Sequence, residues 1–304
     1  MRLIPTLGLL AGLVLSPTLA LSAADITGTG HRFFAADYDK HVMAIVGADG
    51  KIEWKRKMDG GCHDAWVTAE GKVLWTPSGR EIFEVDPKAD TQTLIYDSKK
   101  NGGQDGDIQI HAFQPNKDGT ITVFESGPKR IVEIDHSGKV LKTIPLAIGG
   151  DPHHQTRNAR KLDNGNYLMA LSADAKVVEI DPAGKVVWEV ATGKECYSAV
   201  RLKNGNTLIG GGHNHKVLEV DPTGKEVWSV GESELPGITF SYMAQVQRLK
   251  NGNTIIINCH AGPMNPQIIE VDPAKKVVWS YRDFENFGNA LPVGFVLDDA
   301  GAVR

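Results

Sequence analysis

Apolar and polar residues alternate along most of the chain in short runs that end at turn residues. In the most regular unit this alternation predicts strand a near Ala199, and strands b, c and d over residues 207–211, 217–220 and 226–230. Asn-Gly follows strand a, and Asp-Pro-Thr-Gly follows strand c. Asn-Gly is a hairpin signal in which both turn residues tolerate positive φ, and Asp-Pro-x-Gly makes a second tight turn. The pattern therefore predicts an antiparallel, all-β fold.

This strand-turn-strand unit recurs along the chain. Segments that begin at Ala159, Ala199 and Val246 share Leu-x-Asn-Gly-Asn, and weaker copies precede them. One aspartate marks the same place in five units, with spacings of 49, 46, 40 and 51 residues. These aspartates are Asp86, Asp135, Asp181, Asp221 and Asp272. A period in this range is typical of β-propeller blades and not of helical solenoids.

The number of units and their ends predict how the ring closes. Six units can be counted, and the first, which starts near residue 31, lacks its strand a. Residues 291–301 resemble a strand a and its turn, with no further strands after them. We therefore predict a six-bladed β-propeller with four antiparallel strands per blade, in which the C-terminal strand completes the N-terminal blade. Such closure removes open sheet edges from the ring.

A tryptophan recurs at one position of strand d. It is present as Trp54, Trp188, Trp228 and Trp279. A large residue at the same place in each repeat is what packing between neighbouring blades requires. We therefore interpret these tryptophans as structural and not as a stacking platform for a ligand.

Residues 1–24 are predicted to be a signal peptide. Arg2 gives a positive start, residues 7–15 form an apolar run, and Ser22-Ala23-Ala24 offers the small residues of a cleavage site. The run is too short to cross a bilayer, and no later segment approaches the length of about 18 apolar residues that a span needs. We expect a soluble protein that is periplasmic or secreted, with residues 25–304 forming one propeller domain.

The net charge restricts the classes of molecule that the protein binds, and the number and spacing of cysteines bear on disulfide formation. Removing residues 1–24 removes one basic residue and no acidic one, which leaves 32 Lys+Arg against 37 Asp+Glu, a net charge of −5. This balance, without a basic stripe, argues against nucleic-acid binding. Cys62, Cys196 and Cys259 are odd in number and widely spaced, so isolated buried thiols are expected.

The repeat motifs carry a family resemblance. Asp-Pro-x-Gly-Lys-x-Val-Trp resembles the repeat of the PQQ-like (quinoprotein-type) propeller superfamily. Leu-x-Asn-Gly-Asn-Thr-Leu, with His-rich strand starts such as residues 62–65, is similar to bacterial arylsulfotransferase-type propellers, which are six-bladed. The second resemblance implies a histidine nucleophile at the central channel. Quinone-dependent alcohol dehydrogenases of the superfamily have eight blades and an adjacent-cysteine pair, which this chain lacks, so PQQ is disfavoured as a cofactor.

Candidate functional residues lie where strand a starts and strand b ends, which is one face of the ring, here called the rim. Seven of the ten histidines map to the rim. We predict His63, His111 or His154 as nucleophile or general base, since imidazole titrates near neutral pH. Asp64 would orient such a histidine, and Arg157 would stabilise negative charge. The other predicted ligand-binding residues are Asn158, Tyr197, His213, Tyr242, Gln245 and His260.

Three functions stay open from the sequence. In the first, the rim is an enzyme site for a small anionic molecule, aromatic or sugar-derived, with sulfuryl transfer, lactone hydrolysis or elimination as its chemistry. In the second, imidazoles from several blades bind a divalent metal. In the third, the propeller is a non-catalytic scaffold that offers its rim to a protein or glycan. A monomer is expected in each case.

Overall fold

Residues 24–304 are described by the structure, a computed structural model, and they form 25 strands in six sheets. The predicted signal peptide lies outside the described residues, apart from Ala24. Each sheet contains four antiparallel strands as one blade of a ring, consecutive in sequence in five of the blades, and one blade gains a fifth strand. This arrangement confirms the six-bladed β-propeller.

The strands follow the repeat along the chain. After β1 (Asp25–Gly28), blade 1 contains β2 (Phe33–Asp37), β3 (Val42–Val46) and β4 (Ile52–Lys57). Blade 2 contains β5 (Ala65–Val67), β6 (Val73–Trp75), β7 (Glu81–Asp86) and β8 (Thr91–Asp97). Blade 3 contains β9 (Gln109–Pro115), β10 (Ile121–Ser126), β11 (Arg130–Ile134) and β12 (Val140–Pro145).

The second half of the ring is the more regular half. Blade 4 contains β13 (Thr156–Lys161), β14 (Tyr167–Leu171), β15 (Lys176–Ile180) and β16 (Val186–Ala191). Blade 5 contains β17 (Ser198–Arg201), β18 (Thr207–Gly210), β19 (Lys216–Val220) and β20 (Glu226–Gly231), followed by a 3-10 turn (Glu232–Glu234). Blade 6 contains β21 (Tyr242–Arg248), β22 (Thr254–Cys259), β23 (Ile268–Val271) and β24 (Val277–Arg282). The last strand is β25 (Val293–Val296).

Two strands close the ring, and only one of them was predicted. β25 pairs antiparallel with β2, which places Phe295 opposite Phe34 and completes blade 1 as expected. β1 pairs with the outer strand of blade 6, where Asp25 lies opposite Arg282 and the two side chains form an ion pair at 2.8 Å. This fifth strand covers part of an exposed sheet edge.

The Asn-Gly turns differ in detail from the prediction. Gly165, Gly205 and Gly252 have φ of 87°, 89° and 93°, but the asparagines before them are not among the residues with positive φ. The turn in blade 5 is closed by the amide of Gly205, which donates to the carbonyl of Leu202 at 3.0 Å. A turn in which only the glycine is left-handed matches a type I turn with a glycine bulge, so one permissive residue is enough.

Neighbouring blades are held together by a repeated joint. A strand-c glutamate of one blade binds a basic residue of the next at 2.6 to 2.9 Å in four of the six joints. The pairs are Glu133 with Lys161, Glu179 with Arg201, Glu219 with Arg248 and Glu270 with His31. The indoles of Trp188 and Trp228 donate to the carbonyls of Pro222 and Pro273 in the following blade. These bonds confirm blade-to-blade packing for Trp188 and Trp228, and the ring of Trp279 contacts that of Phe33 in blade 1 at 5.7 Å between centres.

Two smaller results concern the cysteines, which were expected to be isolated and buried, and the length of the helices. Cys62, Cys196 and Cys259 are free and buried. Burial raises the pKa of each thiol, to about 12 for Cys196. No helix within residues 24–304 is long and apolar enough to cross a bilayer.

Candidate functional site

The inner strands of three blades are bulged where they reach the rim. In blade 3 the register between β9 and β10 skips His111. In blades 4 and 6 it shifts across residues 156–159 and 243–246. A bulge frees residues from the strand ladder and re-aims their side chains. Arg157 and Gln245 lie within two of these bulges.

A cavity of about 660 Å³ opens at the rim. Eight of the eleven predicted site residues line it, namely His63, His111, His154, Arg157, Tyr197, His213, Tyr242 and His260. Further lining side chains are Tyr38, Ser78, Asp107, Gln109, His153 and Glu195. The structure therefore gathers most of the predicted residues around one space.

Aromatic rings form much of the cavity wall. The imidazole of His63 lies 4.7 Å from that of His111 and 6.5 Å from the ring of Tyr197, measured between centroids. The ring of Tyr242 lies 5.5 Å from Tyr197 and 4.6 Å from His213. These edge and tilted contacts hold the side chains in place and leave flat apolar surface toward the cavity.

Two imidazoles at the wall are held neutral. Burial lowers the pKa of His63 to about 3, and the charges of Arg157 and His153 add to this effect. The pKa of His111 lies well below its usual 6.5, again chiefly through burial. Nδ1 of His111 is 3.2 Å from the carbonyl oxygen of Thr156, so it carries the proton and donates. Nε2 of His111 is therefore a lone-pair acceptor, and it is buried without a partner in the described residues.

Two other histidines are paired with carboxylates. Nδ1 of His154 donates to Oδ2 of Asp151 at 2.8 Å, and Nδ1 of His213 donates to Glu195. Both histidine side chains are about half exposed or more. A carboxylate at Nδ1 fixes the tautomer and leaves Nε2 free to accept a hydrogen bond or a proton.

The remaining imidazoles are oriented by polar neighbours. Nδ1 of His153 lies 2.9 Å from Oε1 of Gln109, and Nε2 of His260 lies 2.9 Å from the hydroxyl of Tyr38. Burial lowers the pKa of His153 and of His260, and it raises the pKa of Tyr38 to about 12. These rings are thus uncharged hydrogen-bonding groups at neutral pH.

Arg157 is the most unusual residue of the cavity. It is 6% exposed, yet within residues 24–304 its guanidinium makes no hydrogen bond and no ion pair. Its guanidinium carbon lies 5.8 Å from the ring centre of Tyr197. The hydroxyl of Tyr197 is likewise buried without a described partner, and burial raises its pKa well above 10. Nε of Arg157 is buried without an acceptor, and its other two nitrogens face the cavity, so the guanidinium has donors free for water or for a ligand that enters there.

The carboxylates that line the cavity do not neutralise this arginine. Asp107 accepts a hydrogen bond from Gln109 at 3.2 Å, and Glu195 accepts one from Nδ1 of His213. The positive charge of Arg157 acts instead on the neutral imidazoles around it, and it helps to lower the pKa of three histidines. These are His63, His111 and His153. The local field therefore favours a negative ligand beside Arg157.

Three predicted residues lie deeper, in the channel below the cavity. Asp64 accepts from Nη1 and Nη2 of Arg160 at 2.7 and 3.1 Å and from Gln245 at 3.2 Å. The amide oxygen of Asn158 faces Nη2 of Arg160 at 2.9 Å. The prediction that Asp64 orients a rim histidine is therefore wrong, because its carboxylate is used by Arg160. All three residues hold the channel interior together.

The side chain of Arg304 fills the rest of this channel. Its guanidinium carbon lies 3.9 Å from the ring centre of Trp66 and 3.6 Å from that of Phe295. Burial lowers the pKa of Arg304 to about 9. The space left between the channel side chains is about 10 Å³, close to the least that a water molecule needs. The rim cavity therefore has a closed floor.

Some site residues were missed by sequence reasoning. Tyr38 directly follows β2, the same strand-b end that identified His213 and His260, so that rule applied to blade 1 would have found it. Ser78, which contacts His63, follows β6 by three residues, as His213 follows β18, and Glu195 precedes β17 by three residues. The same rule therefore covers their loops, although neither residue was singled out.

The imidazoles do not converge as metal ligands. Within residues 24–304, no group of three or more His, Cys, Asp or Glu side chains is placed to hold a metal ion. Their nitrogens are directed instead to a serine, carbonyls, carboxylates and a tyrosine hydroxyl. The divalent-metal function therefore lacks a ligand set in this part of the chain.

Several solved structures have the same fold. A protein of unknown function from Bacteroides caccae is 23% identical, and the match covers 89% of this chain and 100% of that chain with a TM-score of 0.76. A streptogramin B lyase is 10% identical, with 90% and 97% covered and a TM-score of 0.61. A catalytically inactive histidine-to-alanine variant of virginiamycin B lyase from Staphylococcus aureus, solved with quinupristin, is 11% identical, with 87% and 90% covered and a TM-score of 0.59. At these identities the likeness shows the propeller fold alone.

A family match covers most of the ring. Residues 45–258, from strand c of blade 1 to strand b of blade 6, match the family described as Mal s 1 allergenic protein-like. This family is not one of the two whose repeats the blade motifs resemble, so the PQQ-like assignment stays a prediction. Because the match spans well over half of the sequence, this chain belongs to the Mal s 1 allergenic protein-like family.

Proposed function

We propose that this protein binds a small anionic ligand in the rim cavity, with Arg157 as its principal contact. The observation that carries the proposal is the guanidinium of Arg157, buried and without a partner among the described residues. A carboxylate, sulfate or phosphate supplies the acceptors that this group lacks, and charge-assisted hydrogen bonds to arginine are strong.

The neighbouring groups refine the chemical class. The imidazoles of His111, His153 and His154 each use Nδ1 as a donor, so each presents Nε2 as an acceptor. Several acceptors beside one cation suit a ligand with hydroxyl donors as well as one anionic group. The partly exposed ring of Tyr38, which lines the cavity, also suits the C–H surface of a sugar ring. A sugar acid satisfies all three features.

Binding can be tested by isothermal titration with D-glucuronate and D-galacturonate, with neutral D-glucose for comparison. Replacing Arg157→Gln is expected to weaken uronate binding about 10- to 100-fold, the range for a lost charge-assisted hydrogen bond. Arg157→Lys should fall between the two, since lysine cannot bind a carboxylate in bidentate fashion. Arg201→Gln, which removes a buried arginine of a blade joint, is the matched control and should leave affinity unchanged.

A broader thermal-shift screen decides whether the anion is of another type. The panel contains aryl sulfates, phosphate monoesters, lactones, PQQ and divalent metals. Stabilisation by an anion that depends on Arg157 supports the proposal, and the identity of that anion corrects the sugar-acid assignment. A protein that no anion stabilises would contradict it.

A second candidate function is catalysis in the same cavity, as a hydrolase, lyase or transferase. The observation in its favour is His154, which Asp151 holds through Nδ1 while Nε2 stays free. The low pKa of His63 and of His111 makes them poor general bases near neutral pH, so His154 takes that role and they bind ligand. One structural neighbour, described as catalytically inactive after a histidine-to-alanine change, encourages the test.

Turnover of lactones and aryl sulfates by the wild-type protein and by His154→Gln separates these functions. A catalytic His154 should lose about 10²- to 10⁴-fold in rate when replaced. His136→Gln, on the outer surface, is the control. Absence of turnover leaves the binding function, in which the ligand is either free or part of a glycan or protein partner.

Export and assembly belong to the same proposal. A periplasmic or secreted location follows from the signal peptide predicted over residues 1–24, and we propose in addition that the protein is a monomer. N-terminal sequencing of the protein from a native host should start at Asp25, and light scattering should give the mass of one chain. An N-terminus that retains residues 1–24, or a dimer mass, would overturn these two points.

A further inference from the structure

The joint between blades 1 and 2 lacks the charged pair that other joints contain. In blades 4 and 5 the residue opposite the strand-d tryptophan is a glutamate, whereas opposite Trp54 it is Ile45. The strand-a position that is Arg201 in blade 5 is Val67 in blade 2. An apolar pair of smaller side chains thus replaces the ion pair that stands at this place in other joints.

A cavity lies beside this apolar pair. It measures about 520 Å³, and its apolar walls are formed by Ile45, Trp54, Val67, Pro87 and Leu297. It lies in a blade joint and shares no lining residue with the rim cavity. Its volume suits a small ligand of one or two rings.

The indole of Trp54 is uncovered on the side of this cavity. In the two following tryptophan joints, a guanidinium lies over the ring, 4.7 Å from the centre of Trp188 and 5.6 Å from that of Trp228. The indole N–H groups of those two residues also donate to proline carbonyls. Within residues 24–304, Trp54 has neither contact. A flat group thus fits on the indole face in those two joints, and the corresponding face of Trp54 carries no such group among the described residues.

The charged groups around the cavity determine the sign of the ligand. Glu53 is engaged by Nε of Arg32 at 2.7 Å, so no free carboxylate remains for a cation. Lys88 lines the cavity and makes no ion pair in the described part of the chain. The groups left open are thus an ammonium and an indole N–H, both of which are donors.

We propose that this joint is a second ligand site, which takes a planar aromatic carboxylate. The aromatic ring stacks on Trp54 in the place that a guanidinium occupies in other joints. The carboxylate binds Lys88, and the aliphatic side chains cover the opposite edge of the ring.

The test is calorimetric titration of the full chain with 1-naphthoate. Lys88→Gln should weaken binding about tenfold, and neutral 1-naphthylmethanol should bind the wild-type protein about as weakly. Ile45→Glu with Val67→Arg rebuilds the regular joint and should abolish binding while keeping the melting temperature. If that double variant does not fold, Lys88→Gln and Trp54→Leu carry the test.

Arg157→Gln serves as the control for site identity and should leave naphthoate affinity unchanged. A wild-type protein that does not bind 1-naphthoate at millimolar concentration would overturn the proposal. So would a folded Ile45→Glu, Val67→Arg variant that binds it as well as the wild type. Dependence of naphthoate binding on Arg157 would move the ligand to the rim cavity and equally refute this site.

Discussion

Arg157 and Arg160 lie three residues apart on β13, and both are almost fully buried, at 6% and 5% exposure. Arg160 binds the carboxylate of Asp64 through two nitrogens, whereas Arg157 has no described partner. The difference follows from the bulge, because Arg160 keeps its register opposite Leu168 and Arg157 does not. The comparison teaches that a buried charge indicates function when its counter-ion is missing and indicates structure when it is present.

The largest expected effect is on the paired arginine. Asp64→Asn leaves Arg160, and Arg304 beside it, as buried cations without a counter-charge. Breaking a buried pair from one side costs about 3–5 kcal/mol, so the free energy of unfolding in urea should fall by that order. Asp151→Asn, an exposed aspartate paired with His154, is the matched control and should change stability by about 0.5 kcal/mol or less.

An Asp64→Asn variant as stable as the control would break the comparison. It would mean that the channel interior does not depend on the charge of Asp64, and that Arg160 is no better paired than Arg157. Retained stability together with lost ligand binding would assign Asp64 to the site after all.

The unpaired arginine should behave in the opposite way. Arg157→Gln removes a buried charge that nothing in the described chain compensates, so stability should stay level or rise by about 1 kcal/mol. The same change should raise the pKa of His63, because the charge of Arg157 helps to lower it. Urea unfolding and an NMR titration of the imidazoles measure the two effects. A loss of several kcal/mol would show that Arg157 has a structural partner.

The smallest expected effect is that of the His31–Glu270 pair, whose contribution to stability depends on pH. Its hydrogen bond to Glu270 raises its pKa above 6.5, against the opposing effect of burial. The stabilisation is therefore complete below pH 6.5, the unfolded value, and is lost as the pH rises through the raised folded value. Because His31 is about half buried, solvent screening limits the effect to about 1 kcal/mol or less.

The measurement is the difference in unfolding free energy between wild type and His31→Gln across pH 5 to 9. This difference should shrink as the pH rises. Taking the difference matters, because the lowered pKa of buried His63 gives the protein a slope of the opposite sign. Arg248 makes the same kind of joint with a permanent charge. By analogy, His31→Arg should remove the dependence of the stability difference on pH. A difference that does not vary with pH would contradict a charged His31.

The regular parts of the fold could be predicted because their signals are local. Alternation and turn residues placed the strands of blade 5 within one residue of β18, β19 and β20. The same strand assignment identified eight residues of the rim cavity, since strand polarity alone decides which loops share a face. β1 could not be predicted, because residues 25–28 lie outside the four-strand repeat and nothing in that repeat requires a fifth strand beside β24.

The partners of individual charged side chains, and the space that each one faces, could not be predicted either. Asp64 and His63 are adjacent in sequence, but one faces the channel interior and the other the cavity. Asp64 finds Arg160 across two blades, and a sequence does not show that distance. Nor does it show which side chains a bulge re-aims, so Arg157 and Asn158 were grouped although only Arg157 lines the cavity.

In each of the three bulged inner strands, the residues in the bulge and the residues after it have different roles. The ladder skips only residue 111, residues 157–158 and residues 244–245, while the segments that follow them carry the hydrogen bonds of the blade. Of these residues, His111 and Arg157 line the cavity, so substitutions there can exchange one recognised molecule for another without loosening the ring. Directed evolution of new binders from this scaffold should therefore accept substitutions at residues 111 and 157 and reject them at Asn158 and Gln245, which bind Arg160 and Asp64 in the channel.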